Sequence, residues 1–304
     1  MHRVVLSASR RTDIPAFYMP WFMAQIEKGM FEVPHPYGAA PVRLPAAADQ
    51  VHTIVFWSKN FGPFLDGEYG QALIQKGYHL FFNFTINSPH PILEPGLPPL
   101  SDRLAQIERL ADLFGARTIQ WRFDPICYFK TDDGREGDNL DRFSDIAERA
   151  ARAGVSICIT SFVDLYRKVV RRTSRSGLSL CDPPLDRKVD QIVSMARRLE
   201  KLEIQLTLCC EKEVLAAMPT GVNVAGAACI PNHRLADLYG PDVTLKHDTG
   251  QRVAAGCGCR HSRDIGSYRL HPCYHDCLFC YANPVSDTAG GRHKTAPEPD
   301  NANG

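Results

Sequence analysis

The chain has 304 residues, of which 44% are hydrophobic and 23% charged, with a net charge of +1, and this near-neutral balance gives no global pull toward nucleic acid or a membrane. No apolar run approaches the roughly 18 residues of a membrane span, and the opening apolar stretch before Ser7-Ala8-Ser9-Arg10-Arg11 is too short for a signal peptide. The expected setting is therefore the cytoplasm, without membrane contact.

Residues 4–9 read as a first buried strand and run directly into Arg10, Arg11, Thr12 and Asp13. Further strand-like runs follow at 53–57, 80–86, 118–123, 155–162 and 204–209, each apolar and rich in β-branched or aromatic residues, as a strand covered on both faces should be. Helical spacing lies between them: Leu104, Ile107, Leu110, Ala111 and Phe114; Leu140, Phe143, Ile146, Ala147 and Ala150; Val189, Ile192, Val193, Ala196 and Leu199. Ser101 and Asp186 are the expected helix starts, and Gly115 and Gly154 the expected stops.

This alternation is the signature of an α/β fold built from parallel β/α units. A doubly wound sheet gives the same one-dimensional pattern, but the preferred reading is a partial, six-unit TIM-like β/α barrel. Its polar residues gather at the C-terminal strand ends: Arg10, Arg11 and Asp13; Ser58, Lys59 and Asn60; Asn87; Arg122 and Asp124; Asp164; Glu211. In a barrel that end carries the active site. The expected organisation is a barrel core over 1–211, a cysteine-rich metal-cluster segment over 212–284 packed on it, and a disordered tail over 285–304, rich in Gly, Pro, Asp and Asn.

Eleven cysteines in a chain without an export signal point to metal ligands rather than disulfides. Cys127, Cys158 and Cys181 are scattered among apolar neighbours and read as buried hydrophobes. Cys273, Cys277 and Cys280, by contrast, bring three soft thiolates within eight positions, with Phe279 just before the third. Three ligands on a 4Fe-4S cluster leave one iron open to chelate S-adenosylmethionine, with a reductant such as a flavodoxin or ferredoxin supplying electrons. The competing reading is a structural Cys3His zinc site completed by His271 or His275.

A second group of thiols is formed by Cys257 and Cys259, which face one way if the stretch is extended, together with Cys229 and one of Cys209 and Cys210. Neighbours in a strand face opposite sides, and Cys209 is the preferred member of that pair. Such a set suits a second iron-sulfur cluster or a zinc, and unligated core cysteines remain the even alternative.

Several segments carry a resemblance: Ser7-Ala8-Ser9-Arg10-Arg11-Thr12-Asp13-Ile14-Pro15, Phe56-Trp57-Ser58-Lys59-Asn60, Trp121-Arg122-Phe123-Asp124-Pro125, Ser161-Phe162-Val163-Asp164, Cys257-Gly258-Cys259 with Asp264-Ile265-Gly266, and the final Cys277-Leu278-Phe279-Cys280-Tyr281-Ala282. Over essentially 1–284 the chain resembles the domain-of-unknown-function family numbered eighteen-forty-eight. Its terminal cysteine motif is similar to that of the spore photoproduct lyase branch of radical S-adenosylmethionine enzymes, which implies chemistry on a thymine dimer in DNA. Two departures stand out. The cluster loop comes last, whereas those enzymes carry it after their first strand, so either the barrel is circularly permuted or the C-terminal segment folds over the mouth. No Gly-Gly-Glu-like segment follows a second strand, and Ser58, Lys59 and Asn60 take its expected place at the cofactor, with Asp164 and Glu211 as weaker candidates.

Arg10, Arg11 and Asp13 are expected to grip a carboxylate or phosphate, and Arg122 and Asp124, two apart on one strand, face the same way for a similar role. A structural ion-pair network is the alternative for both sets. The basic run 167–175 could contact a phosphate backbone but reads more simply as a solvated helix face. Trp21, Trp57 and Trp121 fit core or mouth packing. Three functions follow: a radical S-adenosylmethionine-type enzyme acting on a small molecule or nucleic acid, a non-catalytic zinc or iron-sulfur protein with a structural or redox-sensing role, and a DNA-lesion repair lyase.

Overall fold

The computed structural model describes residues 2–34 and 40–282. The expected tail over 285–304 lies outside them. Eight parallel strands form the main sheet: β1 (Val4–Ala8), β2 (Val51–Ser58), β3 (Leu80–Thr85), β4 (Ile119–Ile126), β5 (Ile157–Phe162), β6 (Gln205–Leu208), β7 (Val224–Gly226) and β8 (Arg263–Asp264). Their order across the sheet is β7-β6-β5-β4-β3-β2-β1-β8. The first six match the expected strands.

The two added strands correct the six-unit count. β7 and β8 come from the stretch after residue 211 and supply both edges of the sheet. They are three and two residues long, too short for apolar periodicity to announce them. Among the described residues no ladder joins these two edges.

The strands stand between two apolar layers because alternate side chains face opposite ways. Leu6, Phe56, Phe82, Trp121 and Phe123 face one layer, against which α2 (Met19–Glu27), α3 (Gly62–Asp66), α4 (Tyr69–Gln75), α5 (Leu100–Phe114), α6 (Phe143–Arg152) and α8 (Leu185–Glu200) pack. The intervening Val5, Val55, Phe81 and Ile159 face a smaller layer made by the C-terminal stretch, including Ala227, Cys229, Ile230, Cys257 and Cys259. Polar residues on this second face bind that stretch by its backbone: Asn83 Nδ2 donates to Cys229 O at 2.9 Å and Gln120 Nε2 to Ala228 O at 3.3 Å. The cysteine-rich stretch is thus part of the packed core.

Gly115 and Gly154 end α5 and α6 with φ of +85° and +76°, as read from the sequence, since a left-handed residue there strains any other side chain. The helices α5 and α8 start one residue before Ser101 and Asp186, behind Pro99 and Pro184, whose fixed φ suits a helix entry. Two further helices border the site: α1 (Ile14–Phe17), which follows β1, and α7 (Arg167–Arg175), which follows β5.

Candidate functional site

The C-terminal strand ends surround a cavity of about 540 Å³. Arg10, Arg11 and Asp13 line it from the end of β1, Ser58 and Lys59 from β2, and Arg122 and Asp124 from β4. Cys273, Cys277 and Cys280 form part of the same wall, and Cys209, Cys210, Cys229, Cys257 and Cys259 another. A separate groove of about 630 Å³ between α6 and α8 contains none of the expected site residues.

The loop bearing the triplet is fastened from several sides. His275 Nε2 donates to Asp13 Oδ2 at 2.8 Å, and that oxygen also accepts from Ser58 Oγ and Lys59 N at 2.9 Å each. Asp13 Oδ1 accepts from Ala16 N at 2.9 Å at the start of α1. Four donors saturate a nearly buried carboxylate, so Asp13 braces β1, β2, α1 and the cysteine loop together. Tyr18 and Tyr281 hydroxyls donate to Pro272 O and Arg10 O at 2.6 Å each, and Arg172 Nη2 donates to Cys280 O at 2.5 Å. Gly96 lets the loop approach, because a Cβ there would stand 2.7 Å from His275 O.

Behind Cys277 lies a buried charge pair that sequence reading did not single out. Lys59 Nζ meets Glu94 Oε1 at 2.5 Å, Glu94 Oε1 is 3.9 Å from Cys277 Sγ, and the ammonium lies 5.2 Å from the centre of the Phe279 ring. Burial raises the pKa of all three triplet thiols above the usual range. Bare neutral thiols are the state such a dry wall favours, and a metal would be needed to hold them as thiolates.

Of the two histidines weighed as a fourth ligand, His275 has both ring nitrogens engaged and His271 one. His275 has Nε2 on Asp13 and Nδ1 near Gly96 O at 3.3 Å. His271 accepts at Nδ1 from Ser267 N at 3.2 Å and packs on Trp21 with ring centres 4.1 Å apart, and burial lowers its pKa to about 4. Among the described residues, no three His, Cys, Asp or Glu side chains are set as they stand to hold one metal ion.

The second wall is thiol-rich and flanked by cations. Cys209 Sγ lies 3.8 Å from Cys229 Sγ and 3.9 Å from Cys210 Sγ. Arg122 Nη1 reaches Cys229 Sγ at 2.6 Å while its Nη2 pairs with Asp124, and Asp124 Oδ1 accepts from Ser161 Oγ at 2.5 Å. Arg122 and Arg10 lie 5.3 and 5.4 Å from the Trp57 ring centre, so two guanidinium groups share one aromatic platform in the cavity. Hydrogen bonds from Cys229 and Cys257, with Arg10 nearby, lower the pKa of the Cys259 thiol, whereas hydrogen bonds to Cys209 and Cys259 and burial raise that of Cys229.

A family model described as a domain of unknown function, DUF1848, matches residues 5–282. The chain belongs to that family. No curated protein matches it. The match spans the sheet, both cysteine groups and the cavity.

Not every expected site residue of the DUF1848 domain faces the cavity. Asn60 accepts from Gly62 N and Gln106 Nε2 through Oδ1, and Glu211 accepts from Phe162 N at 2.9 Å; neither lines the cavity. Ser58 does line it, but its hydroxyl donates to Asp13 and accepts from Asn60 N. Arg11 donates to Gly266 O at 2.9 Å, and Asp164 pairs with Arg252 at 2.7 Å on the rim.

Asp264, which lies outside the expected site residues, accepts from the Ser7 and Ser9 hydroxyls and from Arg10 N and Gly266 N. Strand alternation favours Cys209 over Cys210, but β6 ends at Leu208 and Cys210 has a φ of +62°, so the alternation rule does not reach it. Glu94 gave no signal, lying in an irregular stretch after β3. Cys127 and Cys158 are fully buried as expected, whereas Cys181 is half-buried. Among the described residues no helix is long and apolar enough to cross a membrane.

Proposed function

We propose that this chain is a radical S-adenosylmethionine-type enzyme whose 4Fe-4S cluster is held by Cys273, Cys277 and Cys280. The observation that carries the reading is that the three thiols line the same cavity as Arg10, Arg11, Lys59, Arg122 and Asp124. A structural staple needs no charged cavity in front of it. The departure in loop order has a simple geometric resolution if the eight-stranded sheet is a partial β/α barrel: β8 pairs beside β1, so the loop after β8 lies next to the end of β1. The C-terminal segment then serves the place that the first loop serves in related enzymes.

The fit of the group rests on the donor set: three buried thiols, beside a His275 whose two ring nitrogens are already engaged. Cluster and S-adenosylmethionine, when bound and reduced by a flavodoxin or ferredoxin, supply a one-electron route to a carbon radical. The chain's own residues set the surroundings. Lys59, paired to Glu94, places a cation close to Cys277 and offsets cluster charge, while Asp13 and His275 hold the loop at a fixed height over β1 and β2. Arg10 and Arg11, on the cavity lining, would orient a carboxylate, and Arg122 with Asp124, on the same lining, would face the substrate.

The test is anaerobic purification with iron and sulfide analysis, and electron paramagnetic resonance of the reduced protein with and without S-adenosylmethionine. A signal that shifts with S-adenosylmethionine and is lost in a Cys273, Cys277, Cys280 triple alanine variant supports the reading. A triplet loaded with zinc, or a cluster signal indifferent to S-adenosylmethionine, refutes it and leaves the non-catalytic metal protein.

A nucleic-acid substrate, the third function, has one observation in its favour. Arg167, Arg171 and Arg175 lie on one exposed face of α7, and Arg172 of the same helix binds the Cys280 carbonyl. DNA binding that weakens steeply with salt and is reduced by alanine at those three positions would support it; salt-independent or absent binding would remove it.

A further inference from the structure

The electron that radical chemistry requires must enter from outside, and one surface lies directly over the triplet loop. The helix α7 has two faces. Val169 packs inward in one apolar cluster with Cys277 and Phe279, and Arg172 Nη2 donates to Cys280 O at 2.5 Å. The opposite face shows Arg167, Val170, Arg171, Ser174 and Arg175 to solvent. The thickness of one helix, about 10 Å, thus separates this face from the triplet loop.

The charges on that face do nothing for the helix that carries them. α7 reads Arg-Lys-Val-Val-Arg-Arg-Thr-Ser-Arg, five cations and no acid. Arg167 and Lys168 stand in the first turn, at the positive end of the helix dipole, where a cation is disfavoured. Arg167, Arg171 and Arg175 follow at intervals of four, so like charges stand one above the next and repel. None of these three forms an ion pair among the described residues, whereas Arg109, Arg142, Arg149 and Arg198 elsewhere on the surface each meet a carboxylate. A negatively charged partner relieves that repulsion. Val170 on the same face is exposed, as are Tyr166 and Tyr281 at the adjoining cavity mouth, which sets apolar surface among the cations.

We propose that the exposed face of α7 is the docking surface for an acidic one-electron carrier protein of the flavodoxin or ferredoxin kind. A reduced flavodoxin passes there from hydroquinone to semiquinone, and the electron it loses takes the triplet's cluster from the 2+ to the 1+ state. The identity of the carrier rests on the radical reading, while the surface is tested by binding alone. Apolar surface among cations suits a protein interface, whose centre is apolar and whose rim is polar, better than a duplex phosphate backbone.

The experiment compares the full-length chain with its Arg167→Glu, Arg171→Glu, Arg175→Glu variant, all three positions being exposed. Calorimetry with a purified flavodoxin, on the chain as isolated and after iron-sulfur reconstitution, should show binding that weakens with salt and falls about tenfold or more in the variant. Stopped-flow reduction of the reconstituted chain by flavodoxin hydroquinone should slow to a similar degree. Reduction by photoreduced 5-deazariboflavin, a small uncharged donor, should be equal in the two proteins.

Flavodoxin binding or reduction that charge reversal leaves unchanged would overturn the proposal. So would an oligonucleotide that displaces flavodoxin from this face at equal salt, because the arginines would then belong to nucleic acid. A chain that takes up no cluster, and so gives no reduction by deazariboflavin, would sink the radical reading. Flavodoxin binding that still depends on the three arginines in that chain would keep the docking surface, so the two failures are told apart.

Discussion

Replacing Asp13 by Asn tests whether the cysteine loop is held by one carboxylate. In the native protein Asp13 Oδ2 accepts from Ser58 Oγ, Lys59 N and His275 Nε2 at 2.9, 2.9 and 2.8 Å, and the His275 and Asp13 side chains are 3% and 6% exposed. An amide keeps the shape but turns one acceptor oxygen into a donor, so whichever way it flips, donors meet donors. Leaving buried donors without their acceptor costs about 1–3 kcal/mol. For a chain of this size that corresponds to a fall in Tm of roughly 2–12 °C. Denaturant unfolding measures the loss, and hydrogen exchange localises it: the Leu278 amide, which donates to Leu93 O at 2.9 Å, should exchange faster if the loop is released. His275→Ala should then cost little more in the Asp13→Asn background, because the two changes break the same contact. A loss below about 1 kcal/mol, the level expected of an exposed pair, with unchanged exchange at Leu278 would refute the bracing role.

Other expectations follow from the same geometry. Glu94→Gln strands the Lys59 ammonium beside Cys277 and should cost about 3 kcal/mol in unfolding free energy, with much of the loss recovered by adding Lys59→Met. Gly258→Ala forces a Cβ to 2.7 Å from Ala227 O and should cost about 1–3 kcal/mol, read by denaturant unfolding. His52 gives a pH signature away from either cysteine group. Its ring accepts from Thr53 Oγ1 at 2.8 Å and donates to Gly240 O at 2.9 Å, and burial lowers its pKa from the ordinary 6.5. The unfolded chain therefore takes up a proton first, and stability should fall as pH drops below about 6.5 towards the folded value, with a shallower slope in His52→Gln.

Much of the architecture was legible because parallel strands buried on both faces must be apolar along their whole length. Residues 53–57, 80–86 and 118–123 carry that mark, and the glycines after α5 and α6 carry the mark of a left-handed stop. The spacing of Cys273, Cys277 and Cys280 was equally plain, since ligands close in sequence need no tertiary fold to be recognised as a group. The strand-end charges were legible as a set, because β/α connectivity alone brings them to one end of the sheet.

Tertiary structure decided the rest. β7 and β8 have too few residues to show periodicity and exist through pairing with β6 and β1. Asp13, Ser58 and Asn60 are equally polar at equivalent strand ends, yet the fold saturates the first two with each other and turns the third from the cavity. The second thiol group brings positions 209 and 259 to one cavity, and the Lys59–Glu94 pair spans 35 residues. A one-dimensional pattern records which way a side chain faces within its own element, whereas which distant groups meet depends on how the strands order and the C-terminal stretch packs across their second face.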